Sequence, residues 1–361
     1  MEEKNVWERL SESTKPIVMY GMGDGAEKIM AVFDKLGIKP AAFMASDEFV
    51  RGQSFLGYQV HKLSEIQEKY DDFVIVVCFG SSLPPVMDRL YELDGKYELY
   101  APDVPVAISG EETELFDEEY LKANADKLQK VKKLLADEQS RKVLEDIIRY
   151  KLTGDIKLLK DCETPTDEGW SLLKIGKQET YVDLGAYNGD TVDKFLRITN
   201  KEFEHIYALE PDSRSFNRMV RRNYALGRGI FHPVNAAAWN EDTTLQFRNS
   251  GGRSSTAIRE NGSRYGRGRM VPVQAIKVDT LLEGKKATLL KFDVEGSERE
   301  ALEGAKETIS KYRPKLILSV YHRTEDLLEL PLKIHEMHGG YKLYLRHHPY
   351  IPAWDVELYC I

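Results

Sequence analysis

The sequence predicts an α/β protein in which two doubly wound, mainly parallel sheets are joined by a helical connector. Three observations support this. Short, almost wholly apolar runs typical of buried parallel strands recur along the chain, for example at 73–79 and 315–320. Several of these runs end in a glycine turn or a carboxylate and lead into an amphipathic stretch. Between 111 and 155, apolar residues recur mainly at three-, four- and seven-residue steps in a highly charged segment, which indicates helices.

Length and composition narrow the classes of protein to consider. The chain has 361 residues, which favours two domains, and a formal net charge of -8, which argues against a general nucleic-acid binder. No signal-like segment and no apolar run of roughly 20 residues is present, so we expect no membrane association. Cys78, Cys162 and Cys360 are far apart and lack metal-ligand spacing, so they are interpreted as reduced thiols of a cytoplasmic protein.

The first predicted unit, residues 1–107, begins with the strand 16–20 and the glycine turn Gly21 to Ala26. This Rossmann-like start permits a dinucleotide interpretation, with Asp47 as the acid that would bind a ribose. Asp24, however, lies in the loop that phosphate would approach, so a purely structural α/β module is favoured. A role in binding an acceptor or docking a subunit is compatible with that interpretation.

The connector is predicted at 108–160, with a break near Asp137 and Ser140, and the second unit at 161–361. The amphipathic connector helices are expected to pack on one or both units. The alternative is a dimerisation surface, which would make the protein a homodimer.

The second unit contains a strand, a glycine turn and a helix in the stretch 180–191. Gly185 and Gly189 permit a backbone that approaches a ligand closely. Asp183 and Asp190 stand where the pyrophosphate of a dinucleotide would be repelled, so the ligand is expected to carry positive charge and no phosphate. S-adenosylmethionine, with its ammonium and sulfonium groups, fits this description.

A second acid, Glu210, ends the next apolar strand about 20 to 25 residues after the glycines, the interval expected of an acid that binds ribose hydroxyls. Asn235 follows the third strand and either contacts the adenine edge or belongs, with the small residues after it, to close-packed core. The predicted cofactor-binding residues are Asp183, Gly185, Ala186, Tyr187, Gly189, Asp190, Thr191, Glu210, Pro211, Asn235 and Ala236.

Asp293, Glu295 and His322 are the candidates for orienting or deprotonating an acceptor, because each follows the carboxyl end of an apolar strand. His322 is expected at the mouth of the crevice, with a pKa near its ordinary value. Glu298 is interpreted as compensating the dipole of the helix that it begins. Clustered carboxylates also suggest a divalent cation, but alternating residues at a strand end point to opposite sides, so a site without metal is favoured.

An arginine-rich loop is predicted at 249–269, with Arg253, Arg259, Arg264, Arg267 and Arg269 among glycines and serines. A solvated loop is the default interpretation of this composition. The alternative is contact with a carboxylate or phosphate on the acceptor, which would then be anionic.

The second unit resembles the FkbM family of S-adenosylmethionine-dependent methyltransferases over roughly 165–350. The similarity is carried by 183–191, by Glu210-Pro211-Asp212, and above all by 290–298 with 302–305. It implies a class I methyltransferase fold, in which seven strands form the sheet and the last is antiparallel. It also implies methyl transfer, usually to a hydroxyl of a sugar or natural-product-like small molecule. The chain departs from the family at Ser319 to Tyr321, where many members have an acid.

Two other functions are considered. A nucleotide-sensing or scaffold protein would bind an NAD-type ligand at the first glycine turn and carry an inactive methyltransferase-like unit. An oxidoreductase is disfavoured, because neither unit combines an intact dinucleotide fingerprint with catalytic residues. The acceptor is not identified by the sequence.

Overall fold

The structure is a computed structural model that describes residues 4–106, 115–227, 229–249, 256–258 and 269–361. Helices and strands are numbered in chain order. In the described part of the chain, no helix is both long enough and apolar enough to cross a membrane.

The first part of the chain forms a six-stranded sheet flanked by helices. Its strands are β1 (Ile17–Tyr20), β2 (Ala42–Met44), β3 (Ser54–Phe55), β4 (Tyr58–His61), β5 (Val74–Val77) and β6 (Glu98–Tyr100). Its helices are α1 (Val6–Glu12), α2 (Asp24–Leu36), α3 (Leu63–Lys69) and α4 (Pro84–Asp94). The strand order is β3-β4-β2-β1-β5-β6, and only the β3–β4 pair is antiparallel.

The glycine turn after β1 serves helix packing. A Cβ atom on Gly25 would lie 2.4 Å from the carbonyl oxygen of Cys78, so glycine is needed for α2 to approach the end of β5. The nearby Asp24 is paired with Lys28, whose Nζ lies 2.9 Å from its carboxylate. Packing of α2 against the end of β5 therefore explains Gly25 without a ligand.

Five helices follow: α5 (Glu118–Ala123), α6 (Ala125–Leu134), α7 (Glu138–Thr153), α8 (Ile156–Cys162) and α9 (Thr166–Leu172). Asp137, where the sequence predicts a break, is the N-cap of α7 and accepts a hydrogen bond from the Ser140 amide at 2.8 Å. The same carboxylate is paired at 2.6 Å with the buried guanidinium of Arg346. This ion pair joins the connector to the second sheet.

The remaining strands are β7 (Thr180–Leu184), β8 (His205–Leu209), β9 (Phe231–Val234), β10 (Ala237–Ala238), β11 (Thr243–Asn249), β12 (Thr256–Ile258), β13 (Arg269–Ile276), β14 (Leu289–Phe292), β15 (Lys315–Ser319), β16 (Leu343–His347) and β17 (Val356–Cys360). The helices among them are α10 (Asp190–Ile198), α11 (Ser213–Arg222), α12 (Val278–Leu282), α13 (Glu298–Gly304), α14 (Lys306–Tyr312) and α15 (Asp326–Met337).

The second sheet has seven strands in the order β16-β17-β15-β14-β7-β8-β9. Every neighbouring pair is parallel except the two pairs made by β17, the last strand. The predicted seven-stranded sheet with an antiparallel last strand is confirmed. The order reverses between β7 and β14, and a ligand crevice is expected at such a switch point.

A small four-stranded sheet, β10-β13-β11-β12, contains part of the predicted arginine-rich loop. The strand β12 and the start of β13 fall within that loop, and antiparallel pairing holds both against β11. Residues 250–255 and 259–268 lie outside the described residues, and with them Arg253, Arg259, Arg264 and Arg267. Contact between these arginines and an acceptor therefore stays a prediction.

The two sheets are linked directly beside the crevice. Ser81, after β5, and Ile351, between β16 and β17, exchange backbone hydrogen bonds of 2.8 and 3.0 Å. A Cβ atom on Gly80 would lie 2.5 Å from the Trp354 ring and 2.9 Å from the Tyr350 ring. Only glycine therefore lets the first module pack this closely on the loop between β16 and β17.

Candidate active site

A cavity of about 300 Å³ lies at the carboxyl ends of β7, β8 and β14. Eight residues that the sequence predicts for the site line it: Gly185, Tyr187, Asp190, Thr191, Glu210, Pro211, Asp293 and Glu295. Asp183, Ala186, Gly189, Asn235, Ala236 and His322 are not among the lining residues. The cavity thus brings together six of the eleven predicted cofactor residues and two of the three predicted catalytic residues.

Gly185 forms the turn after β7 and has a φ of +85°. A Cβ atom there would lie 1.8 Å from the carbonyl oxygen of Asp293, which follows β14. The Gly185 amide donates to the Leu209 carbonyl oxygen at 3.0 Å. The absence of a side chain therefore lets three strand ends converge at the point where the strand order reverses.

Glu210 is held in place by the same turn. One carboxylate oxygen accepts a hydrogen bond from the Tyr187 amide at 2.8 Å, and the other accepts one from the Asp212 amide at 2.8 Å. Burial raises the pKa of Glu210 to about 7, although the two amide donors oppose the rise. Each oxygen keeps a further lone pair for a ligand hydroxyl.

Asp183 lies behind the cavity wall at the end of β7. It is fully buried, and its Oδ2 accepts a hydrogen bond from the Thr191 hydroxyl at 2.5 Å. Burial raises its pKa to about 6, with the nearby Lys291 charge acting in the opposite direction. The structure thus gives Asp183 the role of fixing Thr191 in the wall.

The start of α10 differs from the expectation that Asp190 and Thr191 cap it. Gly189 is the N-cap, with a φ of +84° and no side-chain cap hydrogen bond. Its missing Cβ would lie 2.7 Å from Asn223, so this glycine is also required by packing. The Thr191 hydroxyl bonds Asp183 instead, which corrects the predicted capping role.

Asn235 is exposed and outside the cavity lining, unlike the prediction that it meets the adenine edge. Its amide nitrogen donates to the carbonyl oxygens of Glu210 at 2.7 Å and Pro211 at 3.1 Å. The side chain therefore fixes the chain that follows β8. The small residues that do line the cavity are Ala237 and Ala238, one and two positions beyond the predicted Ala236.

Asp293 is held by three neighbours at the end of β14. Its Oδ2 lies 2.7 Å from the Nζ of Lys291, and its Oδ1 accepts a hydrogen bond from the Ser319 hydroxyl at 3.0 Å. Burial alone would raise the pKa of Asp293, but the charges of Lys291 and His322 outweigh it and bring the pKa to about 2. Asp293 is therefore an anion fixed in orientation.

His322 differs from its predicted position at the mouth of the crevice. Its side chain is only 1% exposed, and its Nδ1 lies 2.9 Å from Oε1 of the buried Glu298. Burial alone would lower the pKa of His322. The carboxylates of Glu298, Glu295 and Asp293 together outweigh that effect and raise the pKa to about 10. The expectation of a pKa near the ordinary value is wrong because four charged groups share one buried volume.

Glu298 also differs from its interpretation as a helix-dipole residue alone. It begins α13, as expected, but its carboxylate also accepts a hydrogen bond from the Val294 amide at 2.8 Å and contacts Nδ1 of His322. Glu295, between them, has a φ of +53°, which is uncommon outside glycine. Burial raises the pKa of Glu295 to about 8, although His322 opposes the rise.

Sequence reasoning missed two contributions to the site. Lys291 is 3% exposed and lines the cavity, and a lysine inside an otherwise apolar strand is the signal that could have identified it. An aromatic wall, which we define as Trp170, Phe247, Tyr321, Tyr350 and Trp354, faces the cavity from four separate segments. No spacing in the sequence connects these rings, because folding alone brings them together.

A doubly wound sheet of this order, with a glycine turn and acids at its switch point, defines the class I methyltransferase fold. Within that class, residues 183–351 match the family described as the Methyltransferase FkbM domain. Residues 183–351 are thus similar to an FkbM methyltransferase domain, as the sequence predicts. No curated protein sequence matches the chain.

Among solved structures, Methyltransferase FkbM from Methylobacillus flagellatus KT is similar over almost the whole chain. The TM-score is 0.72 and the identity 21%, covering 99% of this chain and 94% of that one. The six-stranded sheet and connector thus also belong to a shared architecture. An rRNA methylase from Streptococcus thermophilus covers 54% of this chain and 92% of its own, with a TM-score of 0.33 and 12% identity.

Fibrillarin from Aeropyrum pernix, solved with natively bound S-adenosyl-L-methionine, has the same TM-score of 0.33 and 12% identity. It covers 55% of this chain and 74% of its own.

Proposed function

We propose that the protein transfers a methyl group from S-adenosylmethionine to a hydroxyl of a small-molecule acceptor, a sugar or a natural-product-like compound. The observation that carries this proposal is the fixed carboxylate of Glu210. Two backbone amides orient it beside a glycine turn at the switch point, and it lines the cavity. A carboxylate placed in this way suits the paired hydroxyls of a ribose.

The surrounding residues fit the other parts of S-adenosylmethionine. The carboxylates of Asp190, Asp212 and Asp293 line the same cavity and favour a ligand with ammonium and sulfonium charges. Ala237 and Ala238 offer a small, apolar surface to the adenine ring. The methionine end of the cofactor is then placed beside the turn 185–187.

The acceptor is proposed to occupy the side of the cavity formed by the aromatic wall, where rings can contact the apolar faces of a sugar or polyketide. Methyl transfer is an in-line displacement at carbon, so the enzyme contributes mainly by alignment. The methyl group passes from sulfur to the acceptor oxygen, and the hydroxyl proton must leave. Both Asp293 and Glu295 line the cavity. Asp293, which stays an anion, is proposed to orient the hydroxyl, and the ionised form of Glu295, whose pKa is raised to about 8, is proposed to take the proton.

Isothermal titration with S-adenosylmethionine and, separately, with NADH tests the proposal. We expect S-adenosylmethionine to bind with a micromolar Kd, and Glu210→Ala to weaken binding severely. Glu204→Ala is the matched control, because Glu204 is an exposed acid just before the opposite end of the same strand. Binding of NADH alone would transfer the function to the first module, and equal affinities of the two variants would remove the ribose role of Glu210.

A further inference from the structure

The strongest unexplained feature beside the cavity is the free ring nitrogen of His322. Within the described residues, Nε2 has no hydrogen-bond partner, although the side chain is only 1% exposed. It lies 3.7 Å from Asp293 Oδ1 and 3.7 Å from Glu295 Oε2. A buried nitrogen thus points at two carboxylates that both line the cavity.

The other ring nitrogen explains why Nε2 is available. Glu298 faces Nδ1 at 2.9 Å and can accept its proton in a hydrogen bond. Nε2, whose proton a bound cation would displace, is therefore directed toward Asp293 and Glu295. A carboxylate behind a histidine in this way is the usual support of a metal-binding imidazole. One oxygen from each of Asp293 and Glu298 and one His322 nitrogen lie within 4.8 Å of one another. Glu295 is not in that group, so its carboxylate would have to move toward Asp293 when a cation binds.

The spacing in front of Nε2 suits a cation. Metal bonds to nitrogen and oxygen of about 2.1 Å place neighbouring ligand atoms roughly 3 to 4 Å apart. The distances of 3.7 Å from His322 Nε2 to the two carboxylate oxygens are too long for direct hydrogen bonds. They fall within the range expected between two ligands of one metal ion.

The backbone after β14 is not extended, so the expectation that Asp293 and Glu295 point to opposite sides does not apply. That expectation assumed that residues 293 and 295 alternate as in a strand. The strand β14 ends at Phe292, and the positive φ of Glu295 turns the chain. Both carboxylates therefore reach the same histidine.

We propose that Asp293, Glu295 and His322 Nε2 bind one divalent transition-metal cation, with Glu298 as the residue that positions His322. Mixed imidazole and carboxylate ligands suit Mn²⁺, Fe²⁺ or Zn²⁺ better than Ca²⁺. The acids around the site outnumber its cations, which favours an added positive charge. Only one part of this inference rests on the proposed function: the cation would face the acceptor oxygen and assist loss of its proton.

Titration of the full chain with Mn²⁺, followed by the loss of the free-ion electron paramagnetic resonance signal, tests the site without any methyl acceptor. We expect one bound Mn²⁺ per chain, displaced by Zn²⁺. His322→Asn keeps an amide donor near the Nδ1 position and removes Nε2, so Mn²⁺ affinity should fall by more than about tenfold. Glu295→Gln should give a similar loss.

His61→Asn is the matched control. His61 also lies beside a carboxylate, with 3.2 Å between Nδ1 and Glu65 Oε2, but it ends β4 in the first sheet and does not line the cavity. Its replacement should leave Mn²⁺ binding unchanged. If His322→Asn lowers the melting temperature too far for titration, Glu295→Gln decides, because Glu295 is 27% exposed and easier to replace.

Two results would overturn the metal site: no Mn²⁺ binding to the unaltered chain, or equal binding by the unaltered chain and both site variants. His322 would then serve as a buried cation among the carboxylates. Titration of the metal-free chain with S-adenosylmethionine separates this failure from failure of the proposed methyl transfer, since Glu210, on which the cofactor proposal rests, is not a proposed metal ligand.

Discussion

Replacement of Gly185 by alanine should damage both the fold and the cavity. Alanine at a φ of +85° costs about 1–2 kcal/mol in backbone energy. Its Cβ would also lie 1.8 Å from the Asp293 carbonyl oxygen, so β7 and β14 must separate at their ends. That movement strains the hydrogen bonds from Gly185 to Leu209 and from Asp293 to Leu184, both 3.0 Å, each worth about 0.5–1.5 kcal/mol.

Together these effects predict a loss of about 2–5 kcal/mol in the free energy of unfolding, measured from urea denaturation. Gly284→Ala separates the two causes. Gly284 has a similar φ of +77°, but no atom lies within 4 Å of its absent Cβ, so only about 1–2 kcal/mol should be lost. Affinity for S-adenosylmethionine should fall only in Gly185→Ala. Equal losses of stability in both variants would refute the role assigned to close approach at the switch point.

Two further predictions concern charge. Because the pKa of Glu210 is raised to about 7, its ionised form is lost as pH falls. A cationic ligand should therefore bind up to about tenfold more weakly per pH unit below 7, and its affinity should level off above about pH 8. Titration at several pH values measures this trend, which Glu210→Gln should abolish. In the unliganded protein, the raised pKa of Glu210 contributes stability that is fully present below pH 4.5 and is lost as pH rises through about 7. The melting temperature of Glu210→Gln should lack this dependence on pH. Arg346→Met removes a buried guanidinium from the partly exposed Asp137 carboxylate and should cost about 1.5–3 kcal/mol in urea denaturation. Arg141→Met, at a pair with an exposed glutamate, should cost less than about 1 kcal/mol. Similar losses in the two variants would contradict the structural importance of the Arg346 pair.

The parts of the site that were predictable are those set by strand ends. Glu210 and Asp293 each follow an apolar run, and parallel strands bring such positions to one edge of the sheet. The glycine turn after β7 was predictable for the same reason, because its residue types suit close approach. Local pattern and sheet geometry were sufficient for these positions.

The environment of His322 was not predictable in this way. Its environment depends on contacts between residues distant in sequence, such as that with Glu298 at the start of α13, and a sequence pattern does not report such contacts. Glu298 had an adequate local explanation as the first residue of a helix, which concealed its contact with His322. The turn at Glu295 also lies outside periodic reasoning, since a left-handed residue breaks the alternation on which such reasoning depends.

The contact between Gly80 and the rings of Tyr350 and Trp354 has a consequence for how such a protein can diversify. These two rings line the cavity, yet their positions depend on a glycine and a backbone pairing in the first module. A substitution near Ser81 can therefore reshape the cavity wall without altering any residue of the FkbM domain. Selection for a new ligand can act on either half of the chain, which gives the first module a reason to be inherited together with the second.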